Sequence, residues 1–179
     1  MDYQDIIDFW FIECNSEQWF TQSDAFDALI TRRFQTLHTR ASCGECFDWR
    51  SSIDGRLAEI IVLDQFSRHI YRHSAQAFAQ DSQALTLAQE AVALGIDRQL
   101  EFTERSFLYM PYMHSESLVI HEEAERLYSR LSKEDNYNYE LKHKAIIERF
   151  GRFPHRNTLL GRQSSAEELA FLQQPGSSF

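Results

Sequence analysis

Over residues 3–13 the apolar side chains Ile6, Ile7, Phe9, Trp10 and Phe11 gather on a broad face while Asp5 and Asp8 stay off it, which predicts an amphipathic helix. Asp24 is placed to cap a second helix over 25–41. There Phe26, Leu29, Ile30, Phe34 and Leu37 recur at spacings of three and four, and Gly44 ends the run. "RLAEIIVLDQFSRHIYR" (56–72) is apolar nearly all round, so it predicts a helix buried on most sides. Asp81 reads as the cap of a helix through Ala93, closed by Gly95. Thr103 reads as the cap of another, interrupted where Pro111 removes a backbone donor and restricts Met110. Longer helices are expected over 112–131 and 136–150, the second with Tyr139, His143, Ile146 and Phe150 on one stripe and stopped by Gly151 and Pro154. Ser164, Ala166 and Glu167 fit a capping box opening a last helix to Leu172. Nothing alternates with period two between turn residues. The expected fold is all-α, seven to eight helices packed in antiparallel pairs within a single domain over 1–179.

Bulk composition narrows the function classes. Hydrophobic residues make up 43% of the chain, and only three prolines and six glycines leave little room for linkers. The formal charge of −9 argues against general nucleic-acid or anionic-membrane binding, since both begin with phosphate neutralisation. "MDYQDIIDFWFIEC" lacks the basic start of a leader peptide, and no apolar run is long enough for a membrane span. A cytoplasmic protein with Cys14, Cys43 and Cys46 reduced is therefore expected. Arginine outnumbers lysine fifteen to three, which supplies rigid forks suited to carboxylates and small anions.

Three segments concentrate the candidate chemistry. In the buried helix Asp64, Arg68, Tyr71 and Arg72 fall at i, i+4, i+7 and i+8, a polar strip inside apolar surroundings with Gln65 beside it. Asp64 and Arg68 are spaced either to satisfy each other or to form the wall of a ligand site. "FLYMPYMHSE" (107–116) brings Tyr109, His114 and Glu116 around Pro111, with His114 and Glu116 as the acid/base candidates. "ERFGRFPHRN" (148–157) and the following turn add Arg149, Arg152, His155, Arg156, Asn157 and Arg162, a basic island in an acidic chain, positioned to neutralise Asp64 and Glu116 or to hold a carboxylate or phosphate. His69/His73 and His114/His121 have helical spacing but no H-E-x-x-H motif, and "CGEC" is a lone C-x-x-C, so neither a metal nor a cofactor is predicted. Phosphate loops and G-x-S-x-G elbows do not occur.

"LDQFSRHIYR" (63–72), "FLYMPYMHSE" and "RFGRFPHRNTLLGR" (149–162), with "DFWF" and "WF" near the start, resemble the bacterial and lower-eukaryotic family called domain of unknown function 924 over nearly the whole chain. The resemblance implies an all-helical fold similar to tetratricopeptide-repeat helix pairs and assigns no activity. The residues that match its motifs are Asp64, Gln65, Arg68, Arg72, His114, Glu116, Arg152, His155, Arg156 and Asn157, whereas Ser67, His69 and His121 depart from them. Two functions stay open: a pocket for a small anionic molecule with histidine proton transfer, and a helical module for a protein or peptide partner in which the same motifs are internal struts.

Overall fold

The computed structural model describes residues 1–131 and 134–177; Lys133 and the last residues of the C-terminal tail lie outside them. α1 (Tyr3–Asp8) runs on through a π turn at Phe9–Glu13 and is followed by α2 (Ser16–Phe20) and α3 (Asp24–Ser42). α4 (Ile53–Ile61) continues through a second π turn, Val62–Phe66, into α5 (Ser67–Ile70), so the three make one rod. Then come α6 (Asp81–Ala93), α7 (Phe102–Met113), α8 (Leu118–Tyr128), α9 (Glu134–Phe150) and α10 (Ala166–Leu172). No strand occurs among the described residues, and no helix is long and apolar enough to cross a membrane.

The α4–α5 rod is the axis of the molecule because its sequence is apolar on most sides: Leu57, Ala58, Ile60, Ile61, Val62, Leu63 and Phe66 are all fully buried. α1, α3, α6 and α7 pack around it, and α6, α7, α8 and α9 each pack on the next. Phe9, Trp10, Phe26, Phe34 and Phe107 fill the space between the N-terminal helices and the rod. A smaller cluster of Ile146, Ile147 and Phe153 seats the C-terminal segment. Gly55 lets the Phe47–Ser51 turn lie against α4, since a Cβ there would meet the Trp49 carbonyl oxygen at 2.1 Å.

Several termini differ from the sequence expectation. Ser23, not Asp24, caps α3 by accepting from the Phe26 N–H. α7 starts from a Glu101/Glu104 capping box rather than from Thr103. Pro111 does not interrupt α7: it sits in the last turn, where only the Phe107 carbonyl loses its helical donor. The chain breaks later, at His114, and α8 begins at Leu118 instead of continuing from 112. α10 is capped one residue on, by a Ser165/Glu168 box. Asp81 is the first residue inside α6 rather than its cap, which frees its carboxylate for another use.

Candidate functional site

Where α4–α5, α7 and α9 meet the C-terminal segment they enclose a cavity of about 590 Å³. Its walls are largely apolar, from Trp19, Phe20, Phe78, Met110, Met113 and Phe153, and into them are set Gln65, Arg68, Arg72, His114, His155 and Arg156. Concave, mostly apolar space with a few convergent polar groups is the usual form of a small-molecule site.

Gln65, Asp64, His114, Arg68, Asp81 and Arg156 form one connected network. Asp64 lies in the second π turn and is 1% exposed. A single π turn re-aims side chains out of helical register. Here it lets the Asp64 carboxylate accept from Gln65 Nε2 at 2.5 Å and lie 2.8 Å from Nδ1 of His114, while Arg68 Nη1 stands 3.4 Å away. Burial alone would raise the Asp64 pKa, but Arg68 and His114 hold it well below the usual carboxylate range. An ionised Asp64 accepts a hydrogen bond from Nδ1–H, so Nε2 is the unprotonated nitrogen of His114. Burial, then the Arg68 charge, lowers the His114 pKa and keeps that ring neutral near pH 7.

Arg68 reaches further, donating to Asp81 Oδ1 at 3.0 Å and Oδ2 at 3.2 Å. Arg156 donates to the same Asp81 at 3.1 Å and to the His114 carbonyl at 3.1 Å. Its guanidinium lies over two rings, 4.5 Å from the Phe78 centroid and 4.7 Å from that of Phe153, and its buried Nε has no hydrogen-bond partner among the described residues. Burial and neighbouring Arg68 lower the Arg156 pKa to about 10. His143 and His155 complete this end; burial takes the first down to about 3 and, with Arg156, the second to about 4. At the other end Asp27 accepts from Arg72 Nη2 at 2.7 Å and from Arg72 Nε, and lies 2.7 Å from His69 Nδ1.

The predicted site residues therefore separate into two groups. Gln65, Arg68, Arg72, His114, His155 and Arg156 line the cavity, with Asp64 directly behind His114. Glu116 is not the partner of His114: because α7 ends at His114, Glu116 turns to the far side and accepts from Arg162 at 2.6 and 2.8 Å and from the Phe153 N–H at 2.7 Å. Arg152 pairs with Glu168 at 2.7 and 2.8 Å, Arg149 with Glu167, and Asn157 bridges Arg162, Ser164 and Glu168. Tyr109 donates to Asp97 at 2.6 Å and faces the core between α7 and α8. Arg72 does not share a face with Asp64, since the π turn and the end of α5 direct it to Asp27 on α3.

The structure adds Asp81, Phe78 and His143 to the site, none of them marked as site residues by spacing; His143 carried the one usable signal, its place on the inner stripe of α9. Among the described residues no group of three or more His, Cys, Asp or Glu side chains is placed to hold a metal ion. His121 bonds Glu140 and the Ser115 carbonyl, and His73 lies beyond the end of α5 at φ 67°, so neither histidine pair keeps helical register.

Residues 6–176 match the profile of a family described as "Bacterial protein of unknown function (DUF924)". The structure is similar to that of a protein of unknown function, ATU0120, from Agrobacterium tumefaciens, at TM-score 0.91 and 34% identity over 96% of each chain. No curated protein matches the chain.

Proposed function

Since the chain belongs to the DUF924 family, whose description assigns no activity, we propose from the geometry that the cavity binds a small anionic molecule and that His114 exchanges a proton with it. The observation that carries this reading is the buried Asp64–His114 pair at 2.8 Å on the cavity wall, next to Arg68 and Arg156. A carboxylate behind an imidazole fixes its tautomer and stabilises its protonated form, leaving Nε2 to accept a proton from bound material. Guanidinium groups beside it favour an anion. Asp64 is a positioning residue and His114 the group that would touch the ligand.

The strut reading has its own support in the C-terminal half of the motifs. Arg149, Arg152, Arg162 and Asn157 are spent on Glu167, Glu168 and Glu116, contacts that fasten α10 and the 151–163 turn rather than face the cavity. A cytoplasmic location also belongs to this proposal, and the three free cysteines support it.

Thermal denaturation against a panel of carboxylates and phosphates tests the site. At a hundredfold excess over Kd a ligand stabilises by about 2.7 kcal/mol, or roughly 5–10 °C in a chain of this size. At least one anion is expected to give such a shift in the wild type and to lose it in Arg68→Gln and Arg156→Gln. A panel without any shift would overturn the reading.

A further inference from the structure

Resting on the anion-site reading, we infer that the ligand is an amphipathic monocarboxylate and that it is taken up with one proton, which settles on His114. Three features of the cavity lead there. The first is the shape of the cation. Phosphate sites are typically built from backbone amides at helix N-termini or in glycine-rich loops. The helix start beside Arg68 and Arg156, that of α6, carries its own carboxylate, Asp81. Arg156 instead offers a guanidinium lying over two phenyl rings, so its donors are reached along the edge of the plane, the geometry that matches a planar carboxylate. Two of its nitrogens already donate to Asp81 and the His114 carbonyl, and Nε adds a buried donor without a partner among the described residues.

The second is the space beside the cation. About 590 Å³ is far more than a bare oxyanion fills, and the rest of the wall includes Trp19, Phe20, Met110 and Met113. Thioether side chains adapt to irregular apolar shapes, so this end suits a short acyl or aryl body and gains affinity with each methylene buried.

The third is the charge count. Arg68 and Arg156 are balanced by Asp64 and Asp81, and Arg72 by Asp27. A monoanion entering this wall would leave one uncompensated negative charge in a poorly solvated space. The groups facing His114 are Asp64 and Arg68 from the central rod, Asp81 from α6, His143 from α9, and His155 and Arg156 from the C-terminal segment. The His114 imidazole has the Asp64 carboxylate at hydrogen-bond distance, 2.8 Å from Nδ1, to receive the imidazolium. Its lowered pKa in the free protein is consistent with a proton that arrives only with the anion.

Isothermal titration of the full chain with hexanoate at pH 7, in two buffers of different ionisation enthalpy, reads the proton directly. Expected are close to one proton taken up per hexanoate, affinity falling about tenfold per pH unit between roughly pH 6 and 8, and binding at least tenfold tighter than acetate at about fourfold per methylene. In His114→Gln, whose amide can still donate to Asp64, hexanoate is expected to bind with uptake near zero. In wild-type protein carrying ¹³C-histidine, the His114 Cε1 resonance should move to its imidazolium position on adding hexanoate. An unmoved His114 signal, or unchanged uptake in the variant, overturns His114 as the acceptor. Inorganic phosphate binding where hexanoate and acetate do not overturns the carboxylate while leaving the anion site standing, and no binding by any of the three overturns both.

Discussion

His121 and Glu140 meet in full burial, at 0% side-chain exposure each. Nε2 of His121 faces the Ser115 carbonyl at 2.8 Å and must carry a hydrogen; the next proton lies between Nδ1 and Glu140 Oε1, 2.7 Å apart. Burial raises the Glu140 pKa, and its Oε2 has no partner among the described residues, so a protonated carboxyl donating to Nδ1 is the expected arrangement. Glu140→Gln reproduces that donor and is expected to cost less than about 1 kcal/mol in urea denaturation, whereas Glu140→Ala strands a buried imidazole and should cost about 3 kcal/mol. Equal losses in the two variants would mean an ion pair instead. This contact and the Asp64–His114 pair share a reason for being illegible in the sequence. Helical spacing shows which side chains are near one another within a rod, so Asp64 and Arg68, four apart, were visible as neighbours. It cannot show that His114 reaches a carboxylate fifty positions earlier, nor that the turn after α7 sends the neighbouring Glu116 to Arg162.

Helices were legible where the apolar pattern was strong, and the central rod, α3, α6 and α9 lie close to their expected spans. What spacing missed were local exchanges of backbone partners: the π turn at Val62–Phe66, the tolerated Pro111, and the shift of two caps by a single residue. The last of these matters for α10, which is held by Glu168. That carboxylate accepts from Arg152 and from the Ser165 N–H, and these contacts lower its pKa to about 2. A carboxylate depressed in the folded state contributes stability that is complete above its unfolded pKa, near 4.3, and is lost as pH falls toward the folded value. Amide exchange over 164–172 should therefore stay slow at pH 6 and accelerate between about pH 4 and 2, ahead of the central rod. Arg152→Ala should show the fast exchange already at neutral pH. If α10 and the rod lose protection together in acid, Glu168 is not what fastens the helix.

Asp81 is where the needs of the fold and of the cavity meet. It stands at the start of α6 and accepts from Arg68 on the central rod and from Arg156 in the C-terminal segment, joining three parts of the chain that are 13 and 75 residues apart in sequence. The same carboxylate cancels one of the two positive charges at the polar end of the cavity. Asp81→Asn keeps an acceptor oxygen and nearly the same volume but removes the charge, so the two roles separate. With Asp81 only 17% exposed, loss of the charge should lower stability by about 1–3 kcal/mol, a shift of several degrees in Tm. The cavity would then hold one net positive charge before any ligand arrives. Hexanoate should bind about tenfold more tightly than to wild type, and proton uptake should drop toward zero because the carboxylate is compensated without His114. Lower Tm together with tighter, pH-independent binding is the signature of a site that gives up affinity to keep its arginines paired. Lower Tm with weaker binding would instead make Asp81 a strut whose removal disorders the wall, and the charge count would no longer account for the cavity.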